Sequence, residues 1–300
     1  VSDWLAALAG TPEGARLAAG FALLSAVAHA SFGALQKGAH DPWLSRGSID
    51  LWLAILSAPI ALFVVPAPDA VTWMALAGAL VIHFVYKLCM ALAYERSAYT
   101  VVYPVVRGTG PVVTVLFAGI VFHEHFAPMQ WLGVALVSGA ILGLALRNIA
   151  EEALDLRRLK QGMAWALAAG LTVALYTTWD AWGIRAAPDP FTFLAWFFFV
   201  TSLDFPLIAY ARWRRMPAPP RVGPLMVRGV IGALIAWLSF GGVMIATYLD
   251  KVGEAAVLRE TSTVFAALIG WLILGDKVGP RRALLMGLIA LGAVLVEFGG

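Results

Sequence analysis

Val105-Val106-Arg107-Gly108-Thr109 and Val257-Leu258-Arg259-Glu260-Thr261 each set an arginine inside a run otherwise apolar enough for a lipid bilayer. The runs continue alike, with Val112 answering Val264, Glu124 answering Asp276 and Pro128 answering Pro280. The spacing is constant: 107 to 259 and 128 to 280 are both 152 residues, about half of the 300-residue chain. A guanidinium keeps its charge in any protein environment, and in hydrocarbon it needs a counter-charge or a wet cavity. Two arginines at matching places in two halves suggest one shared, hydrated site that attracts anions.

The composition fits that setting. Hydrophobic residues make up 61% of the chain, charged residues only 13%, and the mean hydropathy is +0.83. Soluble domains run to about 25% charged. A helix that crosses the ~30 Å hydrocarbon layer needs roughly 20 apolar residues, and runs of that length recur almost throughout. The reading is an all-α polytopic membrane protein. A net charge of +3, spread over short loops, gives no nucleic-acid patch. Cys89 is the only cysteine and cannot form an internal disulfide. No metal-ligand spacing or nucleophile–base pair occurs, and Gly108-Thr109-Gly110 lies inside a span without strand context. Neither cofactor nor metal is expected, nor is an enzyme. The first apolar run lacks the basic leader and small-residue exit of a cleavable signal peptide.

Breaks at charged residues, Pro and Gly divide the chain into ten spans. Those of the first half run over about 17–38, 49–66, 72–94, 99–122 and 128–146. Those of the second run over about 163–184, 191–211, 226–249, 254–274 and 282–298. Residues 1–147 and 162–300 then form two five-helix units, joined by a connector at 148–161. There Ile149, Ala153, Leu156 and Leu159 mark one face of a short interfacial helix. Asp41-Pro42 echoes Asp189-Pro190, and Pro59 echoes Pro206. Five is odd, so a repeated unit inserts the second time in the opposite sense, a common construction around a midplane site in transporters. Odd-numbered connections and their flanks hold fifteen of the 21 Lys and Arg residues. That bias places the odd loops in the cytoplasm and both termini outside a multi-pass cell (inner) membrane protein.

Two stretches resemble the drug/metabolite transporter superfamily, EamA-type branch: Tyr103-Pro-Val-Val-Arg-Gly-Thr-Gly-Pro111 and Leu258-Arg-Glu-Thr-Ser262. The acidic turns at Glu124 and Asp276, each followed by Pro, are similar to that family's repeat. The resemblance covers nearly the whole chain. It implies ten helices in two inverted fives, with the first four of each lining a central cavity. It also implies carriage of metabolites, including export of aromatic amino acids. The branch further implies cytoplasmic termini, the reverse of what the loop charges indicate.

Several residues are candidates for the cavity wall. Tyr99, Tyr103 and Arg107 lie at i, i+4 and i+8 on one face of the fourth span. Pro104, Gly108 and Pro111 should loosen that helix. Arg107 could fork onto a carboxylate or phosphate, or be held structurally by a nearby acid. Arg259 and Glu260 are consecutive and point about 100° apart, so one can meet the cavity while the other pairs with a neighbour. A structural Arg107–Glu260 bridge is the rival to substrate contact. In the third span His83 and Lys87 are a turn apart, and Lys87 either binds an anion or snorkels to the interface. His29 shares a stripe with Ser25, Phe32 and Gln36, as a core histidine or a proton relay. Tyr176, Trp179, Asp180 and Gly183 share a face of the sixth span, with Asp180 suited to an ammonium. Asp204, beside Pro206 in the seventh span, could instead lie near an interface, and Trp237 and Phe240 in the eighth face lipid or core more readily than ligand.

These features point to a secondary transporter of small amphipathic metabolites, most readily an exporter of aromatic or large apolar amino acids by alternating access. The alternatives are a carrier of organic anions such as phosphorylated or phosphonate metabolites, an intramembrane enzyme, and a passive channel or scaffold. The partners are a small-molecule substrate and the bilayer, without nucleic acid, and a monomer could suffice.

Overall fold

The computed structural model of the chain describes residues 2–36, 41–97, 99–151, 156–272 and 279–300. Among these residues the structure is helical and contains no strand. The helices are α1 (Ser2–Leu8), α2 (Pro12–Gln36), α3 (Pro42–Phe63), α4 (Ala70–Arg96), α5 (Tyr99–Val121), α6 (Pro128–Glu151) and α7 (Leu156–Ala186). They continue with α8 (Pro190–Val200), α9 (Phe205–Arg215), α10 (Val222–Leu249), α11 (Val252–Arg259), α12 (Ser262–Leu272) and α13 (Pro280–Phe298).

Local chemistry sets many of these boundaries. Proline opens α2, α3, α6, α8 and α13, where its missing N–H costs no intrahelical bond. Asp41, Asp69 and Asp189 accept bonds from the first-turn amides of α3, α4 and α8. The Asp69 bond to Thr72 also holds this exposed carboxyl below its usual range. Among the described residues seven stretches are long and apolar enough to cross a membrane, α8 and α9 counting together as one of them. Phe63, Leu146, Leu207, Ile120 and Phe298 stand outward on the surface. In water such an apolar exterior would be an aggregation hazard; in lipid it is the solvent-facing side. The chain is a multi-pass membrane protein.

Three expectations need correction. The seventh span is not one helix but α8 and α9, interrupted at Thr201–Asp204. Pro206 cannot donate to Ser202 and its ring would crowd that carbonyl, while Asp204 supplies a new N-cap to Phe205. Pro59 sits within unbroken α3, where the matching residue, Ser57, accepts from Trp237 Nε1 at 3.0 Å instead of capping a new helix. The ninth span is also broken, into α11 and α12 at Glu260–Thr261. By contrast α5 stays helical through Pro104, Gly108 and Pro111. The connector is not a separate short helix: α6 runs to Glu151, α7 starts at Leu156, and residues 152–155 lie outside the described residues. Asp276 lies outside them as well.

Helix partners recur in a pattern. α4 packs along α7 as α10 packs along α2, and α5 packs on α7 as α11 and α12 pack on α2. α3 meets α8 and α9, α5 meets α11, and α6 meets α13. The α6–α13 crossing is close enough to require glycine on both sides. A Cβ on Gly133 would stand 2.5 Å from the Gly292 carbonyl oxygen, and one on Gly292 would stand 2.6 Å from that of Gly133. Gly133→Ala should therefore lower the thermal unfolding midpoint, by the equivalent of about 1–3 kcal/mol for an overpacked contact. Gly139→Ala, on the open face of the same helix where a Cβ meets nothing within 4 Å, should leave it unchanged or higher.

Candidate functional site

The ninth span breaks where its sequence turns polar. In Glu260-Thr261-Ser262-Thr263, side chains compete for backbone groups, and Thr261 Oγ1 donates to the Leu258 carbonyl at 2.7 Å. The backbone tightens to i→i+3 bonds, with Glu260 N–H on Val257 O at 3.0 Å and Thr261 N–H on Leu258 O at 3.1 Å. The negative end of α11 thus carries Arg259 in its last turn, and the positive end of α12 begins just beyond Glu260.

Glu260 is 3% exposed and accepts from Arg107 Nη1 at 2.9 Å. Arg107 also contacts His29 through Nη2 and lies over the Tyr103 ring at 5.4 Å. His29 meets Ser239 at 3.4 Å on its other ring nitrogen, and Ser25 and Ser239 join α2 to α10. The arrangement expected as a rival, a bridge between the fourth and ninth spans, is what the geometry forms.

Arg259 is placed differently. It is 3% exposed, stands 4.7 Å over the Phe240 ring, and adjoins Tyr176. Its Nε–H and Nη2 groups have no hydrogen-bond partner among the described residues, and neither has Glu260 Oε2. Arg259 and Glu260 line a cavity with Thr114, Thr177, Val243 and Pro111. Its volume, about 10 Å³, is room for one water rather than a metabolite. Two buried donors and one buried acceptor, left unpaired at a single break, are an expensive arrangement. They form a ready receptor for a group carrying both charges.

On the far side of Tyr176 is a second pair. His83 Nε2 and Asp180 Oδ2 are 2.7 Å apart, and Tyr176 stacks on His83 at a centroid distance of 4.5 Å. Asp180 Oδ1 is buried without a partner. Phe240 lies within ring-contact distance of both His83 and Tyr176. Phe240 therefore faces this polar centre, a role its position in the eighth span did not signal.

Other candidates are not brought to the centre. Trp179 donates to the Ala75 carbonyl at 2.8 Å and packs on Gly78, tying α7 to α4. Lys87 neither snorkels nor approaches Arg107. It is 2% exposed and bonded to Asp50 and to Asp204, which sits at the break in the seventh span. Asp50 carried no signal in its apolar surroundings beyond a lone charge in the second span. The side chains of Tyr99 and Gln36 lie outside the described residues. Trp237 donates to Ser57 at 3.0 Å.

Residues 160–298 match the EamA-like transporter family. No curated protein matches the sequence. A solved crystal structure superposes on 94% of this chain and 96% of its own with a TM-score of 0.73, at 18% sequence identity. That likeness is one of fold. The family match covers the second half of the chain, and with the apolar helices it accords with a multi-pass membrane protein.

Removing one member of a buried ion pair strands the other, whereas neutralising both does not. Glu260→Gln or Arg107→Gln alone should cost about 3 kcal/mol or more of stability, and the double variant appreciably less than the sum. Thermal unfolding of the three purified variants gives the cycle directly.

Proposed function

We propose that this protein is a secondary transporter that exports amino acids of aromatic or large apolar kind by alternating access around the α11/α12 break. The observation that carries the reading is the pair of unpartnered donors on Arg259, Nε and Nη2, beside the unpartnered Glu260 Oε2. A zwitterion satisfies both. Its carboxylate takes the Nε–H and Nη2 donors as a fork, helped by the N-terminus of α12. Its ammonium takes Glu260 Oε2, or Asp180 Oδ1 across Tyr176. Its side chain lies against Phe240 and Tyr176. Arg107, His83 and His29 hold these groups in place, and Tyr103 backs Arg107.

The 152-residue repeat and the matched helix partners support two inverted five-helix units, residues 1–147 and 162–300, ten spans in all, joined by the connector at 148–161. In such an arrangement the spans can rock about the site. The ~10 Å³ cavity supports an occluded conformation, from which the helices must part to admit substrate. The loop-charge bias supports odd loops in the cytoplasm of a cell (inner) membrane. A carrier of organic anions is the second reading, favoured by the net positive charge of Arg107, Arg259 and Glu260 taken together.

Reconstituted in liposomes, the protein should exchange a labelled aromatic amino acid in preference to an organophosphate. Arg259→Met should remove at least about 90% of that exchange, the loss of one charged hydrogen-bonding anchor, with the unfolding midpoint retained. Exchange of the organophosphate instead would select the second reading, and full activity in Arg259→Met would reject both.

A further inference from the structure

The break in the seventh span differs from that in the ninth in being already filled. α8 ends at Thr201, whose carbonyl belongs to the negative end of that helix. Lys87 Nζ, from α4, donates to this carbonyl at 2.7 Å, to Asp50 Oδ2 on α3 at 3.0 Å, and to Asp204 Oδ1 at the head of α9. An ammonium has three donors, and here all three are used. The Phe205 ring closes one side at 5.3 Å.

A second ionic layer lies outside the first and joins the same elements. Arg46 pairs with Asp50 at 2.7 Å, and Arg212 of α9 reaches Asp41 at 2.8 Å and Glu95 of α4 at 2.8 Å. α4 packs chiefly along α7, whereas α3 packs along α8, α9 and α10. The two layers therefore bridge helix groups whose main apolar packing lies elsewhere. The opposite end of the bundle is closed otherwise, through backbone groups. Glu124 accepts from the Val252 and Gly253 amides at 2.6 and 3.0 Å, and Arg185 donates to the Thr247 and Asp250 carbonyls at 2.8 and 2.6 Å.

From this geometry we infer that Lys87 is a tethered cation that latches the bundle shut at the odd-loop end, occupying the carbonyl-and-carboxylate site that a broken helix otherwise offers to a free ion. Release of the ammonium from Asp50, Asp204 and Thr201 parts α4 from α3 and α9 and opens that end. A buried ion pair adds little net stability over apolar packing but has two discrete arrangements, made or broken, which suits a latch better than a strut. The inference rests on the alternating-access reading for its role in transport, though the latch itself is measurable without flux.

The test places a single thiol at the latch. Ser202, 2% exposed, lies in the break itself. In a Cys89→Ala background, Ser202→Cys is probed with a membrane-impermeant maleimide in lipid nanodiscs. With Lys87 intact, labelling should be slow. Lys87→Ala should speed it by about tenfold or more, as expected when a state populated at ten per cent or less becomes the major one. Propylammonium, which replaces the deleted stem and charge, should restore slow labelling, and propanol should not. Should Lys87→Ala fail to fold, Lys87→Met/Asp204→Asn removes the ammonium and one carboxylate while Asp50 stays paired with Arg46, and should label equally fast. Unchanged labelling in these variants, or rescue by propanol as well as propylammonium, overturns the latch. Fast, propylammonium-sensitive labelling without amino-acid exchange would keep the latch and reject the transport reading.

Discussion

The cost of leaving a charge alone in hydrocarbon governs how this bundle is put together. Within the spans, Lys87 is met by Asp50 and Asp204, Arg107 by Glu260, and His83 by Asp180. Each of the three groups joins the first half of the chain to the second, so these charges are fully paired only once the two halves have come together. Burial without a partner would cost several kcal/mol per ion, far more than any one apolar contact contributes. Against that background Arg259 Nε and Nη2 and Glu260 Oε2 are left unpaired together at one break, with Asp180 Oδ1 unpaired nearby.

Both breaks follow one electrostatic logic with opposite outcomes. Interrupting a helix in a membrane creates a negative end and a positive end, which must be satisfied away from lipid. In the seventh span the negative end of α8 is met by the Lys87 ammonium and the head of α9 by Asp204. In the ninth span Arg259 and Glu260 stand between the two ends, but only Glu260 Oε1 is taken up by Arg107. Arg259 Nε and Nη2 and Glu260 Oε2 have no partner among the described residues. One break is furnished by the chain itself. The other leaves those three atoms unpaired beside a cavity the size of a water.

Much of this was legible in the sequence, and the failures have definite causes. The lengths of the apolar runs located nearly every helix because the bilayer sets them. Arg107, Arg259, Glu260, His83 and Asp180 were identifiable because charge within an apolar run is conspicuous. Which charges would meet was not legible, because pairing depends on helix rotation and crossing, which one sequence does not encode locally. The Arg107–Glu260 bridge was therefore only one of two options, and the Lys87–Asp50–Asp204 cluster was missed. The breaks were misplaced for a related reason. Proline and glycine in α5 looked disruptive, but the helix runs unbroken from Tyr99 to Val121, with Leu142 of α6 packed on Gly108. The Glu260–Thr263 stretch has neither proline nor glycine, yet it opens once Glu260 is drawn to Arg107. Phe240 carried no signal at all, since an aromatic in an apolar helix has the same appearance whether it faces lipid or ligand.

The most direct measurement is a cryo-electron microscopy structure of the protein with an aromatic amino acid bound. The account predicts the ligand carboxylate within hydrogen-bonding distance of Arg259 Nε and Nη2, the ring against Phe240, and the Arg107–Glu260 pair still joined. A carboxylate seated on Arg107 with Glu260 displaced, or a ligand bound away from the α11/α12 break, would contradict it.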